Sequence, residues 1–187
     1  MCFLVAGVVI PLLTFYPVIP EEIRYKAITR PKNAQKMAQI KPINTDFGIV
    51  IPKINANAKV VLNVNPYQEN IYQKALTQGV AHAEGTSLPG QIGNTFIFAH
   101  SSGDWYTANR YNSVFYLLNK LKKDDEIFIY YQKKKYRYLV TEIKFVNADQ
   151  INYLSRKPGS HMLTLMTCWP PGTTIKRLII IAQLSSY

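Results

Sequence analysis

The sequence predicts a mostly-β fold, a barrel of about eight short strands with two or three short helices inserted. Three observations favour it: tyrosine and β-branched residues are abundant, glycine and proline recur at short intervals, and short apolar runs alternate with turn residues. At 187 residues the chain is the size of one domain, and its 48% hydrophobic content suffices for a packed core.

The expected elements follow one another from Phe47. FGIVIPKI and AKVVLNV are short strands, and YQENIYQKALTQG has helical apolar spacing with Gly79 to end it. NTFIFAH is an apolar strand ending at His100, and NSVFYLLNKL has helical spacing with Ser113 as its N-cap. EIFIYYQ and YRYLVTEIKFV are strands joined by a lysine-rich turn, while HMLTLMTC and RLIIIAQL are the last two strands.

The N-terminus predicts a membrane anchor. The run CFLVAGVVIPLLTFYPVI contains no charged residue and approaches the ~20 residues that cross a bilayer. Pro11 and Pro17 argue against an ordinary soluble helix, and no small-x-small cleavage site follows. Basic residues follow the run and none precedes it, a bias that by itself would put the domain in the cytoplasm. We expect an uncleaved anchor at residues 1–20, a polar stem at 21–46 and a folded domain at 47–187.

The formal net charge of +11 is compatible with a solubilising surface or with an anionic partner such as nucleic acid, lipid or a cell-wall polymer. The lysines cluster in NKLKK and QKKKYR, both at expected turns, without a glycine-rich phosphate loop or an arginine-rich helix beside them. We therefore expect no nucleic-acid partner.

Cysteine usage excludes a disulfide framework. The chain has two cysteines and no CxxC or HxxxH pair, so neither a zinc site nor another metal or cofactor is expected. Cys2 lies inside the apolar N-terminal run, which leaves Cys168 as a free thiol. It is either a buried, inert cysteine or a nucleophile.

A nucleophilic thiol requires a partner that takes its proton. The candidates are His82, His100 and His161. His100 is favoured because it ends an apolar strand and opens into a loop. His82 is expected in a turn-rich loop, tying backbone groups together, and His161 is expected to be exposed or to line a groove.

Arg177 is the third candidate catalytic residue. It begins the strand after Cys168, nine residues on, and the WPPGTT turn would bring it back to face the thiol. A guanidinium keeps its charge and offers a fixed fork of N–H groups to an oxyanion. The alternative is an ordinary arginine at a strand edge.

Several motifs resemble those of the sortases. TLMTC, ending at Cys168, resembles the TLxTC motif, with the downstream arginine in KRLIIIAQL. FIFAH resembles the strand that carries the family histidine, GVAHAEGTSLPGQIGN is similar to the segment before it, and IPKI resembles the start of the barrel. The likeness runs from about Phe47 to Tyr187, and CWPPGTTIKRL is most similar to class D and E-like sortases.

The resemblance implies a cysteine transpeptidase on an eight-stranded sortase-type barrel, anchored in the cell membrane with its catalytic domain on the extracellular face. Cys168 would attack the carbonyl after threonine in an LPxTG-like sorting signal of a surface protein. His100 would act as general acid and base, and Arg177 would hold the substrate backbone and stabilise the oxyanion. An amine from a peptidoglycan precursor or a pilin subunit would resolve the acyl-enzyme.

Four further residues are expected to bind substrate: Thr167, Trp169, His161 and Ser101. The loop NADQINYLSRKPGSH would form one wall of the groove. Two alternatives remain at this point: a cysteine peptidase that only hydrolyses, and a non-catalytic barrel that binds the cell envelope.

Overall fold

The computed structural model describes residues 22, 23, 26, 40–101, 114–150 and 159–186. Eight strands within these residues form a closed barrel in the order β1-β2-β3-β4-β7-β8-β6-β5. The mostly-β, eight-stranded prediction is thereby confirmed. The strands are β1 (Phe47–Ile51), β2 (Ala56–Val64), β3 (Val80–Ala83), β4 (Gly93–Phe98), β5 (Glu126–Tyr131), β6 (Lys134–Asn147), β7 (His161–Trp169) and β8 (Lys176–Ser186).

Three short helices connect strands in the described part of the chain, as predicted. They are the 3-10 helix η1 (Pro52–Ile54), the α-helix α1 (Glu69–Leu76) and the 3-10 helix η2 (Tyr116–Lys120). Helix α1 buries Ala75 and Leu76, two residues of the expected apolar stripe. The predicted N-cap Ser113 lies outside the described residues, and η2 follows Phe115 without a side-chain cap.

Strand β3 is the element that sequence reasoning missed. Its four residues are all buried, and it pairs parallel with β2 and antiparallel with β4. The prediction that His82 lies in a turn-rich loop was wrong, because His82 pairs with Ile97 inside the sheet. Four residues are too few to show a strand period, and two of them are alanine, which has low β-propensity.

Strands β7 and β8 bury both of their faces for most of their length, which explains why their sequences are continuous apolar runs. Side chains alternate between the two faces. The inward set joins the main core: Leu163, Leu165, Leu178, Ile180 and Ala182. The outward set, Met162, Ile179 and Ile181, forms a second, smaller cluster with Val146 of β6.

The predicted anchor, residues 1–20, lies outside the described residues, as does most of the 21–46 segment. Among the residues that are described, no helix has both the length and the apolar character needed to cross a membrane. The end of the expected stem is attached to the barrel. Ile43 donates its backbone N–H to Asn57 Oδ1 at 3.0 Å, and Asn57 Nδ2 donates to the Lys41 carbonyl at 2.8 Å.

Candidate active site

Cys168 and Arg177 are directly paired across β7 and β8. The antiparallel register continues without interruption from Met162 to Trp169 on β7, and it sets Cys168 opposite Arg177. Residues opposite each other on neighbouring strands point to the same face of a sheet. Alternation from Met162 and Ile179 places both side chains on the outer face, and Cys168 is a half-buried free thiol there.

His100 lies on the other side of Cys168. Strand β4 runs parallel to β7 with Phe98 beside Met166, and the Ala99 N–H donates to the Met166 carbonyl at 3.2 Å. Continuing this register by two residues puts His100 beside Cys168. On this register His100, two residues beyond the end of β4, forms a row with Cys168 on β7 and Arg177 on β8.

The Arg177 guanidinium is held by the turn that precedes it. Its Nη1 donates to the carbonyls of Thr174 and Lys176 at 3.1 and 3.2 Å. The turn itself is closed by Thr173, whose N–H and hydroxyl both donate to the Pro170 carbonyl, at 3.0 and 2.8 Å. Within the described part of the chain, Nε and Nη2 of Arg177 have no hydrogen-bond partner, so these N–H groups remain available to a substrate oxygen.

The two threonines of TLMTC fasten β7 to β4. The Thr167 hydroxyl donates to the Ala99 carbonyl at 2.9 Å, and the Thr164 hydroxyl donates to Asn94 Oδ1 at 2.8 Å, both in buried positions. Thr167 is 2% exposed and lies on the face opposite Cys168. We expected Thr167 to contact substrate; the structure instead uses its side chain to fix the backbone next to His100.

The other expected substrate-binding residues lie in different places. Trp169 follows the cysteine on the opposite face, with its ring 5.2 Å from that of Phe145. Ser101, directly after the histidine, is 3% exposed and does not present a free surface to a ligand. His161 begins β7, seven residues before Cys168, and at ~3.3 Å per residue this is roughly 23 Å away. The structure does not bring His161 to the site, because it occupies the other end of the same strand.

Helix α1 contributes two side chains that sequence reasoning missed. Gln73 Oε1 lies 3.0 Å from His100 Nε2, and the Tyr72 ring packs edge-on against Phe98, 6.3 Å between centroids. Burial raises the pKa of Tyr72 above 10.0, and the nearby charges of Glu69 and Cys168 add to that rise while Arg177 opposes it. Nothing in the sequence signals these contacts, since they depend on how α1 packs against β2 and β3 and extends Tyr72 to Phe98 on β4.

His82 occupies a contrasting environment on β3. Its Nδ1 accepts from the Asn63 N–H at 3.4 Å, so Nε2 carries the proton and lies 3.2 Å from the Ser87 carbonyl and 3.0 Å from the Thr86 hydroxyl. Burial lowers the pKa of His82 below 6.5, which keeps the ring neutral. As predicted, this histidine ties backbone groups together.

Comparison with known proteins gives the family. The sortase domain model matches residues 49–185, and the chain belongs to the sortase family. Sortase A of Streptococcus agalactiae serotype III (strain NEM316) is 26% identical over 137 residues, 73% of this chain and 51% of that protein. Sortase D of Bacillus subtilis (strain 168) is 26% identical over 155 residues, 80% of this chain and 70% of that one. The match thus spans about half the length of the first relative.

Solved structures agree on the fold. Sortase C-1 from Actinomyces oris superposes with a TM-score of 0.65 at 25% identity, covering 84% of each chain. A sortase D5 transpeptidase from Clostridium perfringens superposes with a TM-score of 0.61 at 22% identity, covering 93% of this chain and 99% of that one. Relatives in the family are cysteine transpeptidases associated with the cell envelope.

Proposed function

We propose that this protein is a cysteine transpeptidase that cleaves an LPxTG-like sorting signal after threonine and joins the acyl product to an amine. The observation that carries the proposal is the row of His100, Cys168 and Arg177, with the last two paired in register. A nucleophile, a titratable base and a permanent cation on one face are the three groups that acyl transfer requires.

The proposed reaction has two halves, formation of the acyl-enzyme and its resolution by an amine. The Cys168 thiolate adds to the carbonyl carbon after threonine, and the Arg177 N–H groups stabilise the oxyanion that forms. Collapse of this intermediate expels the amine of the following residue, which takes a proton from the His100 imidazolium and leaves a thioester on Cys168. An incoming amine then attacks the thioester, neutral His100 accepts its proton, and the thiolate leaves as a new amide bond forms.

The test is to incubate the full chain with a library of sorting-signal peptides and an amine such as a peptidoglycan stem-peptide mimic or a pilin-derived lysine peptide, and to identify products by mass. We expect joined products that need Cys168. Hydrolysed peptide without any joined product would replace the proposal with a cysteine peptidase. Neither product from any LPxTG-like peptide would favour a non-catalytic envelope-binding barrel.

We further propose that residues 1–20 anchor the protein and that its partners, surface proteins and cell-envelope amines, meet the domain on the extracellular face. The uncharged run of near-bilayer length supports the anchor, and the net charge of +11 suits an anionic envelope. We expect the full chain to sediment with membranes and a chain shortened by the first ~45 residues to leave them. Full-length protein in the soluble fraction would contradict the anchor.

A further inference from the structure

Helix α1 places one neutral side chain against the histidine of the row. Gln73 Oε1 lies 3.0 Å from His100 Nε2 although the two residues are 27 positions apart in the chain. His100 follows a backbone that β7 holds through Ala99, whose N–H and carbonyl are both hydrogen-bonded to that strand. These bonds fix the Cα of His100 but leave the two side-chain torsions of the ring to be set by its own contacts.

The end of the Gln73 amide that faces the ring is its oxygen, since Oε1 is the atom that lies 3.0 Å from His100 Nε2. Because an amide oxygen only accepts, His100 Nε2 must carry a proton.

We propose that Gln73 is a positioning residue for His100, holding the imidazole in the Nε2–H tautomer, in which Nδ1 is the basic ring nitrogen. The reaction in which this matters is the transpeptidation proposed above. In catalytic histidines generally, a hydrogen-bond partner on one ring nitrogen sets the orientation of the ring and determines whether the other nitrogen carries a proton.

A neutral hydrogen-bond partner such as Gln73 has a specific consequence for the pKa of His100. The N–H donor of an imidazolium makes a stronger hydrogen bond to the amide oxygen than the N–H of neutral imidazole does. Gln73 therefore favours protonated His100. Gln73→Leu should lower the pKa of His100, whereas Gln73→Glu, with a charged acceptor of the same length, should raise it.

The other charged and titratable groups near the His100 ring are the same in all of these variants. In the described part of the chain, the charged and titratable side chains on the neighbouring elements include Cys168 on β7, Lys176 and Arg177 on β8, and Glu69, Tyr72 and Lys74 on α1. A shift that changes sign between Gln73→Leu and Gln73→Glu is thus assigned to position 73.

The experiment is an NMR titration of the full chain labelled with ¹⁵N-histidine. The chain carries Cys168→Ala, because the measurement concerns the His100 ring and does not depend on catalytic turnover. The matched control is Gln78→Leu, the same substitution at an exposed glutamine just after α1. We expect ¹⁵N shifts of the Nε2–H tautomer in the parent and in Gln78→Leu, a tautomer mixture with a lowered pKa in Gln73→Leu, and a raised pKa in Gln73→Glu. Identical His100 tautomers and pKa values in all four proteins would overturn the proposal.

A kinetic measurement on the chain that retains Cys168 complements the titration. Gln73→Leu should lower kcat about tenfold, the scale of one net hydrogen bond, with the KM for peptide unchanged. Gln78→Leu should leave both parameters at their parental values. An unchanged kcat in Gln73→Leu would contradict the positioning role. If the parent joins no peptide to any amine, the transpeptidase proposal fails while the titration still decides the role of Gln73.

Discussion

His82 lies on β3 and His100 lies two residues beyond the end of the adjacent strand β4, yet their surroundings differ in every respect that matters for chemistry. His82 is 1% exposed, both of its ring nitrogens are engaged by backbone or threonine groups, and burial lowers its pKa. His100 is half-buried at a strand end, beside a thiol, and is hydrogen-bonded to a side chain on a separate helix. A histidine that must gain and lose protons needs the second environment, because the first penalises the charged ring.

The largest effect is expected at Cys168, the proposed nucleophile. Cys168→Ala should abolish the covalent acyl-enzyme, since no other described cysteine exists to attack the carbonyl. Intact-protein mass after mixing with a sorting-signal peptide checks this, with unchanged thermal unfolding as the control. An alanine variant that still gains the mass of the acyl group would remove Cys168 from the mechanism.

The comparison of the two histidines is tested by replacing each of them with alanine in turn. His100→Ala should lower kcat/KM by roughly 10²–10⁴-fold, the usual contribution of a general acid–base group, with little change in melting temperature. His82→Ala should instead lower the free energy of unfolding by about 1–3 kcal/mol, because it leaves the Asn63 N–H and the Ser87 carbonyl without their partner. If turnover collapses in the His82 variant and survives in the His100 variant, the two roles are reversed.

The cation of the row is tested by Arg177→Lys. Lysine keeps the charge but loses the planar fork that donates to the Thr174 and Lys176 carbonyls and that we propose also donates to substrate. We expect kcat to fall about 10²-fold, near the cost of removing one oxyanion donor. Full activity in this variant would show that charge alone suffices. Arg137→Lys, at an ion pair with Glu126 across β5 and β6, is the matched control and should leave kcat unchanged, because Arg137 pairs with Ser186 at the other end of β8 from Arg177.

The buried histidine also predicts a pH dependence of stability. The folded protein holds the pKa of His82 below the unfolded value of 6.5, so the unfolded chain binds the extra proton first as the pH falls. The free energy of unfolding should therefore be fully retained above pH 6.5 and decline below it. His82→Gln should show a shallower decline between pH 7 and pH 5 in urea titrations. Parallel slopes for the two proteins would mean that His82 titrates equally in the folded and unfolded states, which contradicts the lowered pKa.

The smallest effect is expected at the threonine beside the nucleophile. Thr167→Val keeps the side-chain shape and removes the hydroxyl that bonds the Ala99 carbonyl, which should cost about 1–2 kcal/mol of stability. Thr77→Val, whose hydroxyl bonds the Lys74 carbonyl at an exposed helix end, should cost less. A larger loss of substrate affinity than of stability at Thr167 would restore it as a substrate contact.

Much of the candidate site could be predicted from the sequence because its determinants are local. Cys168 and Arg177 are nine residues apart, with a proline-rich turn between two apolar runs. A hairpin of that length brings the two residues opposite each other with little help from the rest of the fold. His100 was predicted from the end of an apolar strand, and its place beside Cys168 follows from the parallel pairing of β4 and β7.

Three other features of the fold and the site depend on tertiary structure. Strand β3 is too short to carry a period, and it becomes a strand because β2 and β4 supply partners on both sides. His161 begins the strand that carries Cys168 and is only seven residues from it in sequence, but the extended strand places it at the far end of the sheet. Gln73 meets His100 because α1 packs against β2 and β3, next to β4, and a contact between residues 27 positions apart leaves no trace in local periodicity. The sequence determines which side chains a strand presents, whereas the packing of separate elements determines which of them meet.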